Sequence, residues 1–229
     1  MRRHLARLVS CAAVVLLHAT AGCAQNPPAT STRPATLPST TQAVAADTTG
    51  RALVPAGFGS LKQDEIAIKL QLPDVLVKLT PLDESVIRTL SPDSYRALRE
   101  LADSRRPAIA RLAAQHGLLR GNLWYAAFYG LAPDARFSPL ELTVSSGGRD
   151  YRPVEALPLT SGFGEQRLQP REMQTALYLF EDALDVNQPM VVSLGSARNA
   201  GWVETLEKIE RARAAIRSRA QARTGTPSP

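Results

Sequence analysis

A single histidine, His116, and no cysteine lie beyond residue 25 of this 229-residue chain; His4, His18, Cys11 and Cys23 all sit near the start. A Ser-His-Asp arrangement therefore has one candidate base. Cys-His nucleophiles and His/Cys zinc sets are excluded from the rest of the chain. No GxSxG, Walker-type or GxGxxG loop occurs. His116 falls on the Leu112 side of an expected helix, where a structural role is favoured, and no catalytic residue is assigned. Glu181, Asp182, Asp185 and Asn187 place four oxygen-bearing side chains within seven residues. Ca²⁺ takes ~6–8 oxygens, and these lack the alternating spacing and glycine of an EF-hand loop. A solvated turn is favoured over a metal site, and no cofactor is expected. A paired-carboxylate hydrolase finds no second marked acid. Trp124, Tyr125, Phe128 and Tyr129 crowd four aromatics into six residues. An exposed face there would stack on sugar rings or on a partner protein. Core packing is the competing reading, because Ala126 and Ala127 interleave.

These residues need a scaffold, and the pattern around them reads as strands. Glu65–Leu72 alternates, with Ile66, Ile68, Leu70 and Leu72 on one face. Val75–Thr80 alternates again after a Pro73-Asp74 turn. Asn122–Leu131 is apolar on both faces, as a central strand would be. Leu140–Val144, Tyr151–Leu157, Met173–Phe180 and Met190–Leu194 complete the set, with Ser146-Gly147-Gly148 as a hairpin turn. The expected fold is mainly β: an antiparallel β-sandwich (Ig-like) spanning 51–200. A helical insert at 91–117 interrupts it. Ser91-Pro92 starts that helix, Pro107 ends or kinks it and Gly117 closes it. A C-terminal basic helix and tail occupy 201–229. Trp202, Leu206, Ile209 and Ile216 form its narrow apolar stripe, and the distal turns are expected to project into solvent.

The N-terminus reads as an export leader. Arg2, Arg3 and Arg7 precede the ten-residue apolar run Leu8–Leu17, and small residues follow. Ten helical residues reach ~15 Å, half of a ~30 Å bilayer core. Thr20-Ala21-Gly22-Cys23 resembles the lipobox of bacterial lipoproteins. The resemblance covers only this leader. It implies a signal peptide over 1–23, lipidation of Cys23 and a membrane-anchored mature chain. Ala24 in place of an acidic residue implies, by the same resemblance, the outer membrane. Ala19-Thr20-Ala21 would equally serve an ordinary signal peptidase and give a secreted chain. Residues 24–50 read as a disordered tether, since Thr, Pro, Ala and Ser make up 18 of the 25 residues from Asn26 to Gly50.

The formal charge of +6 sits at the two ends; residues 51–200 carry equal numbers of acids and bases. That gives no basic face for replacing phosphate counterions, so nucleic acid is not an expected partner. The expectation is an exported, lipid-anchored envelope protein that is not an enzyme. It would meet the membrane through Cys23 and bind an unknown protein partner or play a structural role. Carbohydrate or cell-wall binding is the second reading and hydrolysis the third.

Overall fold

Alternating apolar residues define eleven strands in the computed structural model, which describes residues 52–224. The expected signal peptide with Cys23, the tract 24–50 and the tail beyond Thr224 lie outside the described residues. In chain order the strands are β1 (Ile68–Gln71), β2 (Val75–Pro81), β3 (Asn122–Gly130), β4 (Ala135–Arg136), β5 (Thr143–Ser146), β6 (Arg149–Tyr151), β7 (Glu155–Pro158), β8 (Arg167–Leu168), β9 (Met173–Phe180), β10 (Met190–Leu194) and β11 (Ala197–Asn199). The helices are α1 (Gln63–Ile66), α2 (Glu84–Ile87), α3 (Pro92–Gln115) and α4 (Trp202–Thr224).

A five-stranded antiparallel sheet runs β1-β2-β3-β9-β7, and a four-stranded one runs β11-β10-β5-β6. Their facing sides form one core, a β-sandwich-like arrangement with the helical insert between β2 and β3 and a helix at the C-terminal end. Register sets which residues enter it. Leu79, Ala126 and Ala176 lie side by side across β2, β3 and β9, as do Val77, Phe128 and Gln174. The second sheet contributes Val144, Met190, Val192 and Leu194, all buried. The short β4-β8 pair lies beside an aromatic cluster in which Phe128 stacks on Phe137 at 4.4 Å and meets Phe163 edge-on at 5.8 Å. The free edge of the larger sheet is blunted. Leu159 N–H reaches back to the Thr175 carbonyl, so alternate donors of β7 point outward. Ala156 N–H is occupied by the Glu155 carboxylate at 3.0 Å, and Pro158 has no N–H.

Several boundaries differ from those expected. The Glu65–Leu72 stretch begins as the helical turn α1, because the Glu65 carboxylate takes the Lys62 N–H at 2.7 Å; the strand starts only at Ile68. Pro139 opens a 3₁₀ turn over Pro139–Glu141, which leaves Leu140 half exposed and delays β5 to Thr143. Tyr151–Leu157 is not one strand. Around Pro153 the chain leaves the smaller sheet and joins the larger as β7. Pro107 does not end α3, which runs 24 residues through it. The proline is on the exposed side, where a missing helical hydrogen bond costs least. The distal turns of α4 do not project free: Ile209, Ala212, Arg213 and Ile216 are all buried. α4 is pinned at its start by Trp202, whose indole N–H donates to the Val186 carbonyl at 2.9 Å.

Two buried side-chain atoms, Gln174 Oε1 and the Tyr178 hydroxyl oxygen, are without a hydrogen-bond partner among the described residues. Tyr178 is fully buried on the inner face of β9, and its hydroxyl has no hydrogen-bond partner. Burial pushes that hydroxyl well above the ordinary tyrosine range. An unsatisfied buried hydroxyl costs about 1–3 kcal/mol, and removing it with the ring retained recovers part of that. Tyr178→Phe is therefore expected to stabilise the fold by about 1 kcal/mol in urea unfolding. A loss of stability of similar size would show that the hydroxyl has a partner.

Candidate binding face

The aromatic run of β3 divides between two environments because side chains alternate along a strand. Trp124 and Phe128 point inward and are buried, with Trp124 Nε1 donating to Asn122 Oδ1 at 2.9 Å. Both belong to the core, which removes them from the candidate contacts. Tyr125 and Tyr129 point to the opposite face of the sheet and are half-buried.

That outer face is covered over only part of its extent. Leu177 and Leu179 of β9 lie on it and are buried. The end of the insert reaches this part of the face, where Glu155 pairs with Leu179. Leu98 of α3 is buried, and Tyr95, Leu101, Ala102 and Ile109 pack against the core at helical spacing. His116 at the helix end lies 3.8 Å from Glu155 of β7. The following loop is tied down by Asp182, which accepts N–H groups from Leu119, Arg120 and Gly121 at 2.8, 3.2 and 2.7 Å.

The other end of the face is partly exposed. Leu76, Tyr129 and Met173 are direct cross-strand partners in β2, β3 and β9, forming one apolar row across three strands. Met173 is 45% exposed, and Leu131 just past the end of β3 is 47% exposed. Lys78 holds its ammonium 5.5 Å from the Tyr129 ring centroid, a cation–π contact that dresses one face of the ring. Asp64 bridges Lys69 and Lys78 at 2.5 and 2.8 Å. Those two hydrogen bonds hold its carboxyl down at about 2. The bridge keeps Lys78 beside the ring. Sequence reading found Tyr125 and Tyr129 but missed Leu76 and Met173. They lie 53 and 44 positions from Tyr129, and only sheet register unites them.

The other sequence-derived candidates serve the fold. Glu181 pairs with Arg149 at 2.5 Å. Asp185 accepts the Asn187 backbone N–H at 2.8 Å, and Asn187 Oδ1 accepts from Arg213 at 2.8 Å. Asp182 holds the loop after α3, and of the four side chains Asp185 and Asn187 are bonded to each other, Asn187 Nδ2 donating to Asp185 Oδ1 at 3.1 Å. Among the described residues no three His, Cys, Asp or Glu side chains gather as a metal site would require. His116 and Glu155 are each more than a third exposed. An open hollow of about 410 Å³ between the 56–57 loop and the start of α3 does not include them. No helix among the described residues is long and apolar enough to cross a membrane. No protein-family model, curated protein or solved structure matches this chain.

Proposed function

We propose that the protein is a non-enzymatic module of the cell envelope, exported by its leader, anchored through Cys23 and binding a protein partner on the open end of its larger sheet. The supporting observation is the Leu76–Tyr129–Met173 row, a partly exposed apolar strip at one end of a face whose other end buries Leu177 and Leu179. Apolar strips of this kind rimmed by charge are the usual chemistry of a protein contact. Burying a side chain of this size against a partner contributes about 1.5–3 kcal/mol.

Carbohydrate binding is the second reading, favoured by Tyr125 and Tyr129 sharing one face four residues apart. With Trp124 and Phe128 in the core, that reading has lost its two largest apolar rings.

Photo-crosslinking tests the first reading. A photoreactive residue at Met173, in the full chain expressed in its own envelope, should give one discrete crosslinked protein. The same residue at Arg152 should give none. Tyr129→Glu should abolish the Met173 product while leaving the melting temperature within a few degrees. No product at Met173, or the same product at both positions, would overturn the proposal. Retention on purified cell-wall polymer that Tyr129→Glu abolishes would move the assignment to carbohydrate.

A further inference from the structure

The distal half of α4 has an unusual charge pattern. Residues 211–224 carry five arginines and no acid. Arg213 is taken into the fold, and Arg211 lies 3.8 Å from Glu207. Arg217, Arg219 and Arg223 are exposed, and no carboxylate neutralises them in the ion pairs of the described residues. Arg219 donates instead to the Phe58 carbonyl at 2.6 Å and reaches Ser60 Oγ at 3.4 Å. Arg223 sits 5.1 Å from the Phe58 ring centroid. These contacts position the guanidinium groups without cancelling their charge.

The segment they hold, residues 52–60, reads ALVPAGFGS and has no charged residue. Pro55, Ala56 and Gly57 are exposed on it. Ala56 and Gly57 form one wall of the open hollow, with Pro92 and Tyr95 of α3 opposite and Arg96 at its rim. An uncharged, partly apolar loop thus lies beside Arg219 and Arg223, Arg217 stands exposed on the same helix, and no carboxylate pairs with any of the three among the described residues. That combination suits the headgroup layer of an anionic bilayer, where guanidinium groups meet phosphates and small apolar residues enter the interface.

Position supplies the second argument. Cys23 precedes Ala52 by 29 positions, and a chain of that length reaches at most about 100 Å. Loop 52–60 is where the folded domain meets that tract. A surface holding Cys23 is therefore kept within reach of this part of the domain.

We propose that the tip of α4 and the 52–60 loop form a membrane-facing surface that docks on anionic phospholipid headgroups. Its biological setting rests on the anchoring reading above, but the contact itself does not need the lipidated cysteine.

Vesicle co-sedimentation of Ala43–Pro229 tests it. This unit contains every buried core residue and omits the leader and Cys23. At about 0.05 M salt it should bind vesicles of equal phosphatidylglycerol and phosphatidylcholine, ignore phosphatidylcholine alone, and release at high salt. Replacing Arg217, Arg219 and Arg223 together by Gln should weaken binding on the order of a hundredfold. The Lys triple should bind as the parent does, and Gln at Arg136, Arg152 and Arg198 should leave binding within a few fold. No binding to the anionic vesicles, equal binding to neutral ones, or equal losses in the two Gln triples would overturn the proposal. Fatty-acid labelling of the full chain, lost in Cys23→Ser, reads the anchor separately, so the failure of either idea is distinguishable from that of the other.

Discussion

Arg213→Met is expected to destabilise the fold by about 3 kcal/mol, read as a lowered urea midpoint at unchanged slope. Arg213 is 2% exposed in the middle of α4. Its Nε and Nη2 both donate to the Ser85 carbonyl, at 3.1 and 2.7 Å, and Nη2 also reaches Asn187 Oδ1 at 2.8 Å. The Ser85 carbonyl is open to this contact because the turn tightens after α2. Thr89 N–H, which would serve Ser85 in a regular helix, donates to Val86 at 3.1 Å. One guanidinium therefore joins α4, α2 and the loop before β10. Met preserves most of the stem but leaves a buried carbonyl and an amide oxygen short of donors, each worth about 1–3 kcal/mol. Lys keeps the charge without the planar fork and should lose about half as much. Arg217→Met, exposed on the same helix, should cost under about 0.5 kcal/mol. Equal losses at Arg213 and Arg217 would show that helix propensity, not the buried contact, sets the effect.

Arg213 also illustrates where sequence reading stops. The run RARAAIRSRAQAR looks uniformly basic and small, which suggested a solvated end. In the fold the four-residue spacing of Ile209 and Arg213 and the three-residue step to Ile216 put an arginine in the middle of the buried stripe. A charge enters a core only if its partners wait there, and those partners come from Ser85 and Asn187, more than a hundred residues apart. No local pattern carries that information. By contrast Met173–Phe180 and Met190–Leu194 were legible to the residue: the first is buried almost throughout, and the second buries alternate residues of a short apolar run. β3 was legible as central from its two apolar faces, and register gives it β2 and β9 as neighbours. The candidate face was half legible. Alternation alone separates Trp124 and Phe128 from Tyr125 and Tyr129, but which pair faces the core depends on the second sheet. Where α3 lies was not legible, because helical periodicity gives a helix a face without giving it a destination.

Gly59→Ala is expected to be as damaging as the loss of Arg213, by a different route. A Cβ at Gly59 would fall far inside van der Waals contact distance of the Leu90 carbonyl oxygen and 2.5 Å from the carbonyl carbon and oxygen of Thr89. These are backbone atoms that no rotamer change can move. The two segments lie so close because they are laced together. Ser60 and Leu61 N–H both donate to the Thr89 carbonyl at 3.1 Å, and Ser91 N–H returns to the Leu61 carbonyl at 2.9 Å. Ser91 is also the N-cap of α3, so a shift at Gly59 displaces the start of that helix, whose Tyr95, Leu98 and Leu101 pack into the core. Overpacking typically costs 1–3 kcal/mol, and a clash with fixed backbone belongs at the upper end, about 3 kcal/mol. Gly57→Ala provides the contrast. Nothing lies within 4 Å of its added Cβ, but its φ of +84° strains any L residue, for about 1 kcal/mol. Thermal unfolding of the two variants separates the causes. Gly59→Ala should melt well below Gly57→Ala. The reverse order would mean that local backbone conformation outweighs the close approach of residues 59–61 to 89–91.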